Sequence, residues 1–460
     1  MIFNLENAAP DKLAFIDDSG HSMTYGELVH FSSSTTHLLP ERSLIFIIGD
    51  NTTAVAAFFC SCLHNGWVPL MLNKDIDESL LKVYHERYKP NAVFSSVSME
   101  GSQEAILELG TYRLHRYHDQ KIEMYSELSL LLSTSGSTGS PKLVRHSYTN
   151  LKFSAASVSR FNNLTSEDVG LALLPIYYTM GLSVITSHLN AEAKVVLTNY
   201  PLTDRNFWTI LKEQQITVLT GVPYTFEVLF KMRFERVQLP KLRIVSQGGG
   251  KLSDNLWTAL VSYAQTKNIE FIATYGQTEG TARMAYLESS QAELKRGSIG
   301  KAIPGGEFEI WDENGSAISM PDVEGELVYK GGNVTLGYAE NQNDLKLGDH
   351  RHGVLQTGDI VKRDSEGFFF IVGRKKRFLK IFGLRISLDE TELLIKNKFH
   401  LDCFATGDDT LLKVYITDET RLAQVKQWLS STLNLYHQSI EVMYIEQIER
   451  TAAGKVKFTQ

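Results

Sequence analysis

Short, strand-like apolar runs alternate along this chain with stretches whose apolar residues return at helical spacing, and that alternation restricts the folds open to it. Thr24 and Glu27 in MTYGEL form a capping box that opens a first helix, with Leu28, Phe31 and Leu38 behind it. A strand over residues 44–48, a helix over 52–65 closed by Gly66, and a strand over 67–72 then make a βαβ unit. Further apolar runs at 170–174, 193–197, 216–219, 242–245 and 271–273 are separated by helix-like segments, and Pro223 has the position of a first-turn proline. The pattern predicts an α/β fold of stacked, mostly parallel sheets covered by helices.

From about Gly297 the texture changes to short β runs at 308–311, 326–329, 359–362 and 368–372, with Asn314-Gly315 as a hairpin signal. This reads as a small antiparallel, barrel-like unit. A basic run, Arg374 to Arg377, separates it from an α+β pattern: helices at 388–398 and 419–433, strands at 402–405, 411–416 and 441–445. The expected organisation is therefore a large domain over 1–373 with its β-rich part at 297–373, a hinge at 374–376, and a small mobile C-terminal domain over 377–460.

The chain has 460 residues, 43% of them hydrophobic, enough for a large core. A net charge of -7 leaves no basic surplus for nucleic acid, and no window approaches the ~20 apolar residues of a membrane span. The opening MIFNLENAAP lacks the parts of a signal peptide, so a cytoplasmic location is expected. Cys60, Cys62 and Cys403 are too few for a disulfide framework and have no histidine cluster for zinc; the first two sit in an apolar helical run and read as core.

The chemistry begins at residues 128–142, LSLLLSTSGSTGSPK, where a buried-strand pattern ends in small and hydroxylated residues. Gly136 and Gly139 allow close backbone approach, Thr134, Ser135, Ser137 and Thr138 add hydroxyl donors, and Lys142 adds a positive charge. Such a loop suits a polyphosphate. It is not a Walker A loop, which needs Gly-Lys-Ser/Thr where this chain has Gly-Ser-Pro-Lys.

With this loop, QGGGKL at 247–252, YGQTE at 275–279, GELVYKGGNVTLGY at 325–338, TGD at 357–359, GRKKRFLKIFGLRI at 373–386 and RTAAGK at 450–455 follow in order. The set resembles the adenylate-forming superfamily of acyl-CoA synthetases, nonribosomal adenylation domains and luciferases, over nearly the whole chain. The resemblance implies ATP, Mg²⁺ and coenzyme A or a carrier's phosphopantetheine as cofactors, a small carboxylic acid as substrate, and a separate carrier protein as an alternative partner. It assigns Tyr275, Gly276 and Gln277 with Gly248 and Gly249 to adenine, where a ring can stack and glycine backbone can approach. Asp359 and Arg374 fall to the ribose and phosphate, Glu279 to the metal as a hard oxygen ligand, and Thr278 to the α-phosphate or substrate carboxylate. Lys455 matches the lysine that meets the carboxylate and α-phosphate during adenylation. Lys376 falls at the hinge, and residues 382–385 with Gly383 on the thiol path.

Tyr178, in PIYYTMGL, stands where the family often has histidine, and with Gly181, Pro223, Gly248 and Thr281 it is expected to line the acyl pocket. No aspartate stands there for an α-ammonium group, which argues against an amino-acid substrate. Glu192 occupies a common glycine position, Glu449 a proline and Val354 a tryptophan. The implied reaction makes acyl-AMP and pyrophosphate from a carboxylate and ATP, then passes the acyl group to a thiol. The rival readings are an adenylate-dependent oxygenase and a non-catalytic nucleotide-binding regulator.

Overall fold

A computed structural model of the protein describes residues 2–97, 105–133, 142–375, 377–381, 384–408, 410–433, 435–450 and 456. Thr24 caps the helix Tyr25–Ser34 through the expected box: its hydroxyl accepts from the Glu27 N–H while the Glu27 carboxylate accepts from the Thr24 N–H. The helix Thr53–His64 follows on an N-cap by Thr52, and Gly66 turns the chain at φ +70°.

Two large sheets carry the described chain, the larger with thirteen strands and the other with eight. At the centre of the larger sheet, Leu13–Asp17, Lys194–Leu197, Val169–Ala172, Val218–Gly221, Ile244–Gln247 and Glu270–Tyr275 lie side by side in parallel. The smaller sheet has its own parallel centre of Leu128–Ser133, Val68–Asn73, Leu44–Gly49 and Ala92–Ser95. One hydrophobic core joins the two. Phe15, Val195 and Leu197 from the larger sheet and Ile45, Ile47, Leu130 and Leu132 from the smaller meet side chains of the helices Thr53–His64, Tyr148–Phe161 and Thr179–Asn190 between them. Cys60 and Cys62 are buried in it, and burial pushes the Cys60 thiol up to about 12.

The β-rich stretch refines the expectation. Its strands Ser298–Ala302, Phe369–Arg374, Val354–Arg363, Gly325–Lys330 and Glu307–Trp311 continue the thirteen-stranded sheet in antiparallel order, and among the described residues they close no barrel. The link is the three-residue strand Ala285–Leu287, which pairs with Glu270–Tyr275 on one side and Ser298–Ala302 on the other. In the C-terminal segment, Cys403–Gly407, Leu412–Ile416 and Ile440–Tyr444 form a three-stranded sheet. The helices Leu388–Phe399 and Leu422–Thr432 supply Ile395, Phe399, Val425 and Leu429 to its core. No helix among the described residues is long and apolar enough to cross a membrane.

One carboxylate stitches together the N-terminal ends of three parallel strands. Asp168 Oδ1 accepts from Arg243 Nε and Thr217 Oγ1, both at 2.7 Å, and Oδ2 accepts from Arg243 Nη2 at 2.7 Å and the Thr165 N–H at 2.8 Å. Burial alone would raise this carboxyl, but the donors outweigh it and hold it at about 2. A carboxylate so depressed contributes roughly 2 kcal/mol, complete above its unfolded value near pH 4 and lost as the pH falls towards about 2. Asp168→Asn should therefore lower stability by at least that amount at neutral pH, measured by urea unfolding. Its deficit against the parent should shrink between about pH 4 and about pH 2; a deficit independent of pH would remove Asp168 from that role.

Candidate active site

Open parallel sheets place ligands beyond the carboxyl ends of their strands, and several of the described residues singled out in the sequence lie there. Gly248 and Gly249 follow Ile244–Gln247, Val222 and Pro223 follow Val218–Gly221, and Tyr178 immediately precedes the helix Thr179–Asn190. A Cβ on Gly248 would come within 2.6 Å of Thr274 Oγ1 and 2.9 Å of Met180 Cε. Gly249 has φ +78°, and a Cβ on it would lie 3.3 Å from the Tyr178 hydroxyl. Tyr178, Met180 and Val222 thus crowd the glycine backbone. Gly181 acts differently: a Cβ there would meet the backbone oxygens of Pro175 and Leu174 at 2.3 and 2.5 Å, so it seats its helix against the preceding segment.

Asp359 is the electrostatic centre of the site. Its residue is 1% exposed, and its carboxylate accepts from the Tyr275 hydroxyl at 2.5 Å, Gln277 Nε2 at 2.9 Å and Arg374 Nε at 2.9 Å. Gln277 Nε2 also donates to the Thr357 carbonyl at 2.9 Å, tying YGQTE to TGD. Burial, then the neighbouring Asp359 charge, push the Tyr275 phenol well above its ordinary value, so it remains a donor. The Tyr275 ring is 8% exposed, with its centroid 6.4 Å from that of Phe308.

Glu279 lies in the next turn. Its Oε1 accepts from the Tyr338 hydroxyl at 2.8 Å, and Lys142 Nζ sits 3.9 Å from the centre of the Tyr338 ring. Arg351 lies 4.7 Å from the same ring and donates to the Glu279 carbonyl at 3.4 Å. Burial and the Glu279 charge push the Tyr338 phenol up to about 12. The Thr278 hydroxyl accepts from Thr179 Oγ1 at 3.0 Å. A cavity of about 470 Å³, lined by Gln277, Glu279, Tyr338, Arg351 and Thr357 among others, connects the Glu279 and TGD regions.

After Glu279 the backbone turns sharply, with Thr281 at φ +43° and Ala282 at +76°. Non-glycine residues in that region are strained and persist only where surroundings over-determine them. Here the Thr281 hydroxyl donates to the Asn333 carbonyl at 2.7 Å, Asn333 Nδ2 donates to the Gly280 and Arg283 carbonyls at 2.7 and 2.9 Å, and Ser154 Oγ donates to the Thr281 carbonyl at 2.7 Å. Thr281, expected in the acyl pocket, is 5% exposed and serves this turn.

The structure therefore unites Tyr275, Gln277, Asp359 and Arg374, and sets Lys142 beside Glu279 through Tyr338. Thr134, Ser135, Gly136, Ser137, Thr138 and Gly139 of the phosphate loop, Lys376, Gly383 and Lys455 lie outside the described residues. Sequence reasoning missed Arg351 and the bridging role of Tyr338; the charged run DHRHG just before TGD was the available signal. Among the described residues no three His, Cys, Asp or Glu side chains form a metal cage. Magnesium needs none, since it keeps waters and phosphate oxygens around one or two carboxylates, and Glu279 offers a carboxylate on the cavity wall.

The indoleacetate–CoA ligase of Aromatoleum aromaticum is 28% identical over 371 residues, 77% of this chain and 70% of that protein. The 2-succinylbenzoate–CoA ligase of Bacillus cereus is 32% identical over 343 residues, 72% of this chain and 68% of that protein. Among solved structures, the O-succinylbenzoate coenzyme A synthetase (MenE) of Bacillus subtilis in complex with AMP superposes with a TM-score of 0.81 at 20% identity, covering 99% of this chain and 96% of that one. A second structure of that synthetase, with ATP and magnesium ion, gives a TM-score of 0.79 at 20% identity over 99% of this chain and 97% of that one. The profile described as AMP-binding enzyme matches residues 4–339, and the chain belongs to that family.

Proposed function

We propose that this AMP-binding enzyme is an acid–thiol ligase: a carboxylate attacks the α-phosphate of ATP to give acyl-AMP and pyrophosphate, and a thiol then takes the acyl group and releases AMP. The observation that carries it is the buried Asp359 carboxylate, gripped by Tyr275, Gln277 and Arg374, with Gln277 also lining a cavity walled by Glu279. A carboxylate held there can accept both hydroxyls of a ribose. In this reading adenine would lie against Tyr275 and the Gly248–Gly249 backbone, and Glu279 would hold magnesium, which offsets polyphosphate charge when bound. Thr278 lies one residue away to bond the α-phosphate or the acid, with Lys455 supplying the second cation in the adenylating state.

Coenzyme A is the proposed thiol, supported by relatives named as indoleacetate–, 2-succinylbenzoate– and oxalate–CoA ligases. A carrier protein's phosphopantetheine is the alternative acceptor, and the two are separated by supplying each in the second half-reaction. The thiolate is a good nucleophile and needs no metal. We take the enzyme to act in the cytoplasm; its three cysteines are unpaired and buried, which fits a reducing compartment. In this reading the segment 377–460 is a mobile domain that turns about Lys376 between the two steps.

Three variants test the assignment. Asp359→Ala should raise the KM for ATP by about 10-fold or more and leave the KM for the acid nearly unchanged, read by ATP–pyrophosphate exchange; an unaltered KM for ATP refutes the ribose role. Lys455→Ala should slow that exchange by ~10²–10³ while sparing thioester formation from supplied acyl-AMP. Equal loss of both half-reactions would make Lys455 structural. Lys376→Pro, which fixes φ near -65°, should keep exchange and lose thioester turnover by orders of magnitude, with acyl-AMP accumulating on the enzyme. Full turnover in that variant ends the hinge reading.

A further inference from the structure

Arg351 is anchored on one side and faces the cavity on the other. Its Nη1 donates to the Thr335 hydroxyl and, at 3.4 Å, to the Glu279 carbonyl, while the guanidinium lies 4.7 Å from the centre of the Tyr338 ring. The side chain lines the cavity of about 470 Å³ that Glu279 and Tyr338 also line. Other arginines of this chain are answered more fully. Arg145, at 0% exposure, donates from Nε, Nη1 and Nη2 to the carbonyls of Tyr338, Leu336, Leu347 and Gly348, and Arg243 and Arg374 have the carboxylates of Asp168 and Asp359. Among the described residues no carboxylate pairs with Arg351.

The contacts along the cavity wall give it a direction. At one end Gln277 Nε2 donates to the Thr357 carbonyl and to Asp359, where the ribose belongs in the ligase reading. Glu279 comes next, its carboxylate accepting from the Tyr338 hydroxyl, and the Tyr338 ring then carries Arg351 on one contact and Lys142 Nζ, at 3.9 Å, on another. A nucleotide with its sugar at Asp359 and its metal at Glu279 directs its outer phosphates towards that pair of cations.

We propose that Arg351 binds the β- and γ-phosphates of ATP and holds the pyrophosphate that leaves. As the carboxylate oxygen forms its bond to the α-phosphorus, the bond from that phosphorus to the bridging oxygen breaks, and the electron pair stays on the pyrophosphate, which gains one negative charge. A planar fork of N–H donors matches phosphate oxygens bidentately, and a cation that has no carboxylate to release can meet that charge at once. Thr335 and the Glu279 carbonyl keep the fork in place before ATP arrives. The inference rests on the acid–thiol ligase reading and deepens it, adding a cation that the sequence motifs do not contain.

The test is calorimetric titration of the full chain with MgATP, AMP and magnesium pyrophosphate, beside ATP–pyrophosphate exchange. Arg351→Met removes the charge and keeps most of the bulk; it should weaken MgATP and pyrophosphate by about 10–100-fold and AMP, which lacks the outer phosphates, by less than about 2-fold. In exchange, the KM for pyrophosphate should rise with that for ATP while the KM for the acid stays put, and thioester formation from supplied acyl-AMP should be spared. Arg351→Lys should recover part of the loss. The Glu279 carbonyl keeps its bonds from the Thr335 N–H and hydroxyl, so the Met variant should unfold near the parent's temperature. Arg351→Gln, uncharged but able to donate to Thr335, repeats the comparison where the Met variant does not fold. Unchanged pyrophosphate affinity would overturn the proposal, as would equal loss of ATP and AMP, which would make Arg351 a prop for the Glu279 turn. Binding needs no acid: ATP and pyrophosphate affinities that depend on Arg351, with no exchange on a panel of acids, would refute the ligase reading and leave the phosphate site standing. A parent that binds neither ATP nor pyrophosphate refutes both.

Discussion

A carboxylate at 1% exposure must be answered by donors, and Asp359 draws its answer from three parts of the chain. Tyr275 closes the last parallel strand, Gln277 opens the turn beyond it, and Arg374 ends the strand that leads to the C-terminal segment. Leaving a buried acceptor without its donor typically costs about 1–3 kcal/mol, so these segments cannot drift apart cheaply. The same constraint makes the site specific. In the reading proposed above, an incoming pair of ribose hydroxyls would meet a carboxylate that is already oriented, whereas an exposed aspartate would first have to be ordered.

Beyond Gln277 the chain needs a second device, because the residues after Glu279 must double back to pair as Ala285–Leu287 with the strand they have just left. That reversal uses left-handed conformations at Thr281 and Ala282, of order 1–3 kcal/mol each. Asn333 supplies the compensation: it donates to two carbonyls of the turn, accepts from the Tyr329 hydroxyl at 2.7 Å, and its own carbonyl receives Thr281. The GELVYKGGNVTLGY stretch thus buttresses YGQTE from behind with Asn333 and reaches its front with Tyr338. A close approach also explains Gly276, where a Cβ would lie 1.6 Å from the Ala282 carbonyl oxygen.

The legible parts of this arrangement were those set by local rules. Thr24 and Glu27 announce a helix because their hydrogen bonds close within one turn, and Pro223 opens its helix because a first-turn residue needs no N–H partner. The parallel strands were readable as apolar runs because both of their faces are covered. What escaped depended on contacts distant in sequence. Ala285–Leu287 is too short to register as a strand, so the β-rich stretch read as a separate unit when it continues the large sheet. The helix Glu78–Tyr88, capped by Asp77, carries a thin apolar face and went unread. Glu192, noted as standing where glycine is common, adopts φ +56° after the helix Thr179–Asn190, the conformation that favours glycine there. Nothing local could show that Arg283 is buried or Arg351 turned towards Glu279.

The placement of Lys142, Tyr338 and Arg351 links the two sheets electrostatically. Lys142 precedes Leu143–Ser147, and that strand pairs with Gly337–Ala339 in the smaller sheet, while Glu279 belongs to the turn beyond the larger one. Tyr338 spans the gap, its hydroxyl on Glu279 and its ring against both cations. With a phenol held near 12 it stays a neutral donor at physiological pH, so it can bind the carboxylate without adding negative charge. The cations gain from the ring face but keep their charge, since the quadrupole attracts without neutralising. Lys142 has Glu340 at 3.9 Å, but with those side chains 36% and 60% exposed that pair contributes little. Charge at Lys142 and Arg351 is therefore stored beside the cavity against an aromatic plane, an arrangement that an anionic polyphosphate can engage without first breaking a strong ion pair.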